Sequence, residues 1–123
     1  MTLIDSNILI RLITGDDPAT AHQLLAEIES RGKNNFYINS VILVEVCFVL
    51  EFHDYAMQRK DIYAAISRLI SAPQVFTSKT SKMALELYKK NPKLDFADCY
   101  LLAKSKDSGA KILTLDKDLQ KLV

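Results

Sequence analysis

Four carboxylate residues of this sequence stand beside apolar segments, where a charge needs a specific reason. Asp5 and Asp116 each directly follow a short apolar run that is typical of a strand. Glu45 interrupts the apolar stretch at residues 41–50, and Asp98 lies in the first turn of a helical pattern. A buried carboxylate without a partner is destabilising or becomes protonated, so these four positions are candidates for chemistry.

A metal ion is the partner that such a set of acids would need. Two unit charges about 4 Å apart repel each other by about 4 kcal/mol at an effective dielectric constant of about 20. Mg²⁺ and Mn²⁺ prefer oxygen ligands, whereas Zn²⁺ favours His or Cys, and neither His22 nor His53 shows metal-ligand spacing. An acid-only cluster that holds such ions suits phosphodiester hydrolysis, because the metal activates water and stabilises the leaving oxygen.

Every acid except Glu45 also has a simple structural interpretation. Asp5 is placed to cap a helix, and Asp116 is placed to begin a turn. Asp95 and Asp98 have the spacing of an N-cap and a first-turn acid that favours the helix dipole. Glu45 has no such explanation, because a helix that is apolar nearly all round is expected to be buried. The sequence therefore predicts a buried carboxylate at Glu45.

Short apolar runs alternate with amphipathic segments along the chain. The runs predict strands over residues 2–4, 36–38, 74–76 and 111–115. The amphipathic segments predict helices that begin near Ser6, Pro18, Val41, Gln58, Ser78 and Asp95, with a short helical turn after Asp116. Strands that alternate with helices imply crossover connections, so we expect one domain over residues 1–123 with an α/β fold. Its architecture would be a three-layer α/β/α sandwich with a short parallel sheet of about four strands.

Composition excludes several other classes of protein. The chain has 123 residues and a mass of 13.9 kDa, which is the size of one domain. It is 49% hydrophobic and 25% charged, which excludes disorder, and its net charge of +1 gives no basic field over the whole molecule. Two cysteines and no secretory signal argue against a disulfide scaffold and predict a cytoplasmic protein. No apolar run is long enough to predict a membrane span.

The acids and their flanking residues resemble those of the PIN-domain family. The resemblance is greatest to the short VapC-type toxins of bacterial and archaeal toxin–antitoxin pairs, and it covers essentially the whole chain. Each motif alone is weak, whereas all of them in this order and at these separations are specific. The motifs are Leu3-Ile4-Asp5-Ser6-Asn7, Ser40 with Glu45, Asp95-Phe96-Ala97-Asp98-Cys99, and Ile112-Leu113-Thr114-Leu115-Asp116-Lys117-Asp118-Leu119.

The resemblance implies a metal-dependent endoribonuclease that uses Mg²⁺ or Mn²⁺. Asp5 and Asp98 would be direct metal ligands, and Glu45 would be a ligand or would orient a metal-bound water. Asp116 matches the family's fourth and more variable acid, and Asp95 matches an acid that caps the helix or supports the ligands. The resemblance also implies an RNA substrate, a homodimer, and a small VapB-like antitoxin whose C-terminal segment blocks the site.

Basic residues near the acids are candidates for RNA contacts, because the acidic site itself repels phosphates. Lys89, Lys90 and Lys93 directly precede the third acidic motif. Further candidates are Lys79, Lys82, Arg11, Arg59 and Lys60. Solvated helix faces explain each of these charges at least as well. Cys47 and Cys99 lack a base partner, so we expect them to be small buried hydrophobic residues.

Two functions of other classes compete with a nuclease. A receiver-like phosphoacceptor needs an acidic pair after its first strand, an acceptor Asp after its third and a Lys after its last. Here Asp5 has no acidic neighbour, Ser78 follows the third run, and Asp116 follows the last, so this pattern fails at all three places. A catalytically silent PIN domain that acts as a scaffold or binding module would keep the same fold without cleavage, and this alternative stays open.

Overall fold

A computed structural model describes all residues from Met1 to Val123 and contains a small parallel sheet. Each strand is two residues long: β1 is Thr2–Leu3, β2 is Phe36–Tyr37 and β3 is Val75–Phe76. β2 pairs in parallel with both of the other strands, so the order in the sheet is β1-β2-β3. The mixed α/β fold with a short parallel sheet is therefore confirmed.

Seven helices follow or connect the strands. Their bounds are α1 Ser6–Thr14, α2 Pro18–Glu29, α3 Ser40–Phe52, α4 Arg59–Ile70, α5 Lys79–Lys90, α6 Phe96–Ser108 and α7 Lys117–Gln120. The predicted starts agree with these bounds to within one residue. Side-chain capping contacts define every start except that of α4, where Gln58 makes none. Asp17, for example, accepts a hydrogen bond from the Thr20 backbone N–H and places Pro18 at the first helical position. None of the helices has both the length and the apolar composition that a bilayer crossing requires.

The core lies where α3, α5 and α6 pack together beside the sheet. Val46 and Leu50 of α3, Tyr88 of α5 and Phe96 of α6 are almost completely buried. The rings of Tyr88 and Phe96 meet edge to face with their centroids 5.9 Å apart. Because Phe96 is the first residue of α6, this contact fixes the start of α6 against α5.

The predicted fourth strand is wrong. Residues 111–115 form no strand, and the sheet ends with β1 at one edge and β3 at the other. Leu113 and Leu115 are almost fully exposed, whereas a strand inside a parallel sheet buries apolar side chains on both faces. No hydrogen bonds to a neighbouring strand hold this segment. Instead, Gln120 Nε2 of α7 donates a hydrogen bond to the Thr114 carbonyl oxygen at 2.8 Å.

The predicted burial of Glu45 is also wrong, because α3 is open to solvent on one side. Val41, Glu45, Phe48 and Phe52 are spaced by three or four residues, which places them on one face of the helix, and all four are exposed. Phe48 and Phe52 have 52% and 59% of their surface exposed. We call this set the α3 outer face. No neighbouring element covers the α3 outer face. Which side of a helix is covered depends on tertiary packing rather than on the apolar content of the helix.

Candidate active site

Three of the acidic residues each begin a helix. Asp5 caps α1 directly after β1, Asp95 caps α6, and Asp116 caps α7. Each accepts a hydrogen bond at 2.8 to 2.9 Å from a backbone N–H group of the helix that follows it. The capping interpretation is therefore confirmed for Asp5 and Asp95. A cap contact holds the carboxylate in one direction, so it also orients the side chain for any further role.

The structure brings other acidic side chains close to Asp98. Its carboxylate is partly buried in the first turn of α6. This burial raises the pKa of Asp98 above its ordinary value, and the negative charges of Asp95 and Asp116 raise it further. The starts of α6 and α7 thus place three carboxylates within electrostatic reach of one another. We call Asp95, Asp98 and Asp116 the acidic group.

Asp5 and Glu45 are less closely tied to this group. Both residues are exposed. Asp5 caps α1 and Glu45 lies within α3, and these two helices pack against each other. No group of three or more Asp, Glu, His or Cys side chains is spaced to hold one metal ion. The convergence of Asp5, Glu45, Asp98 and Asp116 on one metal therefore stays a prediction.

None of these acids has a cationic partner within the protein. The ion pairs of the chain join other residues: Arg11 with Asp17, Arg31 with Glu27, Arg59 with Glu51, Lys79 with Asp107, and Lys89 with Glu86. The acidic group therefore carries negative charge that no Lys or Arg balances. Its donors are all carboxylate oxygens, which is the donor set that fits Mg²⁺ or Mn²⁺.

The two cysteines are excluded as ligands or nucleophiles by their environment. Both Cys47 and Cys99 are buried free thiols. Burial raises the pKa of Cys99 to about 12 and raises the pKa of Cys47 further still. Because the thiolate is the reactive and metal-binding form, neither side chain supplies it near neutral pH. Their interpretation as small buried hydrophobic residues is confirmed.

A buried ionic network lies beside the acidic group, and sequence analysis missed it. Arg59 is a candidate for RNA contact from sequence, but its side chain is only 11% exposed and pairs with Glu51 at 3.1 Å. Arg59 Nη1 also donates to the carbonyl oxygens of Asn91 and Leu94, at 2.8 and 2.6 Å. These two residues lie in the loop between α5 and α6, so Arg59 holds the segment that leads into Asp95.

Tyr88 completes this network, which we call the Arg59 network. The Tyr88 hydroxyl donates to Glu51 Oε1 at 2.6 Å, and the Arg59 guanidinium lies 4.0 Å above the Tyr88 ring. Burial raises the pKa of Tyr88, and the hydrogen bond to Glu51 raises it further. Glu51 and Arg59 belong to different helices, so no helical spacing in the sequence relates them.

Carboxylates without a cationic partner in a small α/β domain fit the class of metal-dependent hydrolases, to which nucleases belong. The sequence model of the PIN domain matches residues 2–123, so the chain belongs to the PIN domain family. PIN domains are generally nucleases, which hydrolyse phosphodiester bonds. No curated protein and no solved structure compared with the chain gives a match.

Proposed function

We propose that this PIN domain is an Mg²⁺- or Mn²⁺-dependent endoribonuclease of the cytoplasm and the toxin of a VapBC-like, type II toxin–antitoxin pair. The observation that carries this proposal is the acidic group, in which Asp98 lies near Asp95 and Asp116 without a balancing Lys or Arg. Like charges held together oppose folding. A bound divalent cation would offset this repulsion. Metal binding would therefore explain why three carboxylates lie near one another, which the needs of folding do not explain.

We propose for the acids the roles that the resemblance to PIN domains implies. Asp5 and Asp98 would be direct metal ligands, Glu45 would be a ligand or would orient a water molecule, and Asp116 would be the fourth acid. A bound divalent cation supplies an activated water and stabilises the leaving oxygen. The capping contacts of Asp5 and Asp116 hold their carboxylates in fixed directions. The contact between Asp95 and the Asp98 backbone N–H holds the first turn of α6.

The α3 outer face supports the proposed protein partners. Val41, Phe48 and Phe52 expose apolar surface along one side of this helix. A small groove of about 90 Å³ runs from Phe48 and Phe52 towards Asp95 and is lined mostly by apolar residues. Apolar surface of this kind favours protein association. It suits both a homodimer contact and a VapB-like antitoxin whose C-terminal segment lies over the acids.

Cleavage of total cellular RNA by the purified, antitoxin-free protein tests the enzymatic proposal. We expect fragments with Mn²⁺ or Mg²⁺ and none with EDTA. Asp98→Asn should reduce cleavage to the background level, because the amide keeps the size of the side chain but removes its charge and replaces one acceptor oxygen with an N–H donor.

Asp61→Asn is the matched control for this variant. Asp61 is the third residue of α4, as Asp98 is the third residue of α6, and it is exposed. We expect this variant to cleave like the wild type. Full activity of Asp98→Asn would contradict the assignment of the site. A folded wild-type protein that cleaves no RNA with either metal would favour the silent scaffold instead.

A further inference from the structure

A basic pocket lies between the α5–α6 loop and α7. It has a volume of about 240 Å³, and its charged lining residues are Lys90, Lys93, Lys121 and Asp118. Three lysines against one aspartate give this pocket a positive excess, although the whole chain has a net charge of only +1. Three of the 16 Lys and Arg residues thus line one pocket, which gives its lining a net positive charge.

The lysines of this pocket are not used by the fold. The side chains of Lys90, Lys93 and Lys121 form no ion pair and donate no hydrogen bond within the protein, and all three residues are exposed. Lys89, the residue before Lys90, instead pairs with Glu86 at 3.9 Å on the surface of α5. Like charges that the protein leaves unbalanced attract an anion, and a bound anion would stabilise them.

Both walls of the pocket are formed by segments that adjoin the acidic group along the chain. The loop wall ends at Leu94, and the next residue is Asp95. The other wall includes the end of α7, and Asp116 caps this helix. Arg59 holds the loop wall from behind through the Leu94 carbonyl oxygen. Because a wall that is already ordered costs little to organise on binding, the pocket is suited to bind a ligand next to the acids.

We propose that this pocket binds a backbone phosphate of the RNA substrate, adjacent to the bond that is cleaved, through Lys90, Lys93 and Lys121. This inference rests on the proposed ribonuclease function. Lysine is a point-charge ligand for phosphate, and an RNA strand that lies over the acidic group needs positive charge next to it. An RNA strand carries a phosphate at every nucleotide, so one phosphate held in the pocket sets the position of its neighbour over the acids.

Equilibrium binding without cleavage tests the pocket directly. The probe is a short fluorescein-labelled single-stranded RNA of mixed sequence, and its anisotropy is measured in EDTA over a range of salt concentrations. All proteins carry Asp98→Asn, so the RNA stays intact. We expect Lys93→Gln or Lys121→Gln to weaken binding about five- to tenfold at low salt. Each should lower the slope of log affinity against log salt by about 0.7.

Lys106→Gln is the matched control, since Lys106 lies in the last turn of α6 just as Lys90 lies in the last turn of α5. We expect it to bind RNA like the parent protein. A second readout needs no substitution: bound RNA should protect Lys90, Lys93 and Lys121 from acetylation several-fold more than it protects Lys106.

The outcomes separate the pocket from the proposed function. If RNA is cleaved by the wild type but the pocket and control variants bind it equally, the pocket proposal fails and the ribonuclease stands. If the protein neither binds nor cleaves RNA, both fail. A polyglutamate peptide serves as the competing anion. Peptide binding that depends on Lys93 and Lys121, without such dependence for RNA, would assign the pocket to an acidic protein partner and overturn the proposal.

Discussion

The Arg59 network and the acidic group are joined by one short loop, yet their charges are balanced in opposite ways. In the network, Arg59 Nη2 faces the carboxylate of Glu51 and Nη1 donates to backbone carbonyl oxygens, whereas the buried Nε–H has no partner. In the acidic group, Asp98 faces Asp95 and Asp116, and all the charges have the same sign. The charges of Arg59 and Glu51 balance each other, whereas no ion pair within the protein balances those of the acidic group.

This difference separates charges that are paired within the fold from charges that no Lys or Arg pairs and that are therefore available to a ligand. The side chains of Arg59 and Glu51 are 11% and 19% exposed, so losing either one would leave the other buried and unpaired. The carboxylates of the acidic group reach solvent, where a ligand can approach them. Substitution should therefore destabilise the protein in the network, whereas removing the charge of Asp98, which caps no helix, should stabilise it.

The largest effect that we expect is from Arg59→Met. This variant should lose about 3–5 kcal/mol of the free energy of unfolding, because it leaves Glu51 buried without its counter-charge and removes a donor from several carbonyl oxygens. Urea unfolding followed by circular dichroism measures the loss. Arg59→Lys, which keeps the charge but not the geometry, should show a smaller loss and remains measurable if the methionine variant does not fold.

Arg31→Met provides the comparison for this measurement. Arg31 also pairs with a glutamate, Glu27, but both side chains are about half exposed. An exposed pair contributes little, so we expect a change of about 0.5 kcal/mol or less. Equal losses at Arg31 and Arg59 would show that burial does not distinguish the two ion pairs.

A smaller effect of opposite sign is expected from Asp98→Asn. At neutral pH and low salt this variant should be more stable than the wild type, because it removes repulsion from Asp95 and Asp116. Solvent screens this partly exposed carboxylate, so the gain should be about 0.5 kcal/mol, and it should shrink as salt is added. Thermal unfolding at two salt concentrations measures it.

The same substitution at Asp61 sharpens this prediction. Asp61 lies in the first turn of α4, where its charge favours the helix dipole. Asp61→Asn should therefore leave stability unchanged or lower it slightly. A loss of stability in Asp98→Asn at low salt would mean that the helix dipole outweighs the repulsion within the acidic group.

The smallest expected signal is thiol labelling beside the Arg59 network. Because burial raises the pKa of Cys99 to about 12, only about 10⁻⁴ of it is thiolate at pH 8, and the fraction rises tenfold per pH unit. Cys47 and Cys99 should thus react with a thiol reagent only as fast as the protein opens, and rapidly in urea. Arg59→Met should accelerate labelling, whereas Asp98→Asn should not. Fast labelling of the folded wild type would contradict a closed network.

Local signals in the sequence predicted much of this fold. Asp17 with Pro18, Ser78 and Asp95 define helix starts through contacts within a few residues, so reading along the chain was enough. The fourth strand was predicted from apolar residues alone, but pairing depends on a partner strand that residues 111–115 do not meet. The burial of Glu45 was misjudged for a similar reason, because the apolar residues of α3 do not reveal which side of the helix has neighbours.

In the candidate site, too, some features are determined by neighbouring residues in the sequence and others by tertiary packing. The positions of Asp5, Asp95 and Asp116 at helix starts follow from their immediate neighbours. The contact between the starts of α6 and α7, which brings Asp116 near Asp98, depends on tertiary packing. The pairing of Arg59 with Glu51 joins two helices across a turn, and no sequence period encodes it. Arg59 was therefore placed among the surface candidates, although it lies in the interior.

The shortness of α7 has a consequence for heat resistance. A helix of four residues is a single turn, which is too short to persist alone in water. It is held by Leu119, whose side chain is fully buried and whose N–H group donates to Asp116. Asp116 and Lys121 therefore share one anchor, and fraying of this turn displaces both together. On warming, the proposed nuclease would lose its activity before the core melts. Its working temperature would therefore depend on how tightly the side chain of Leu119 is packed.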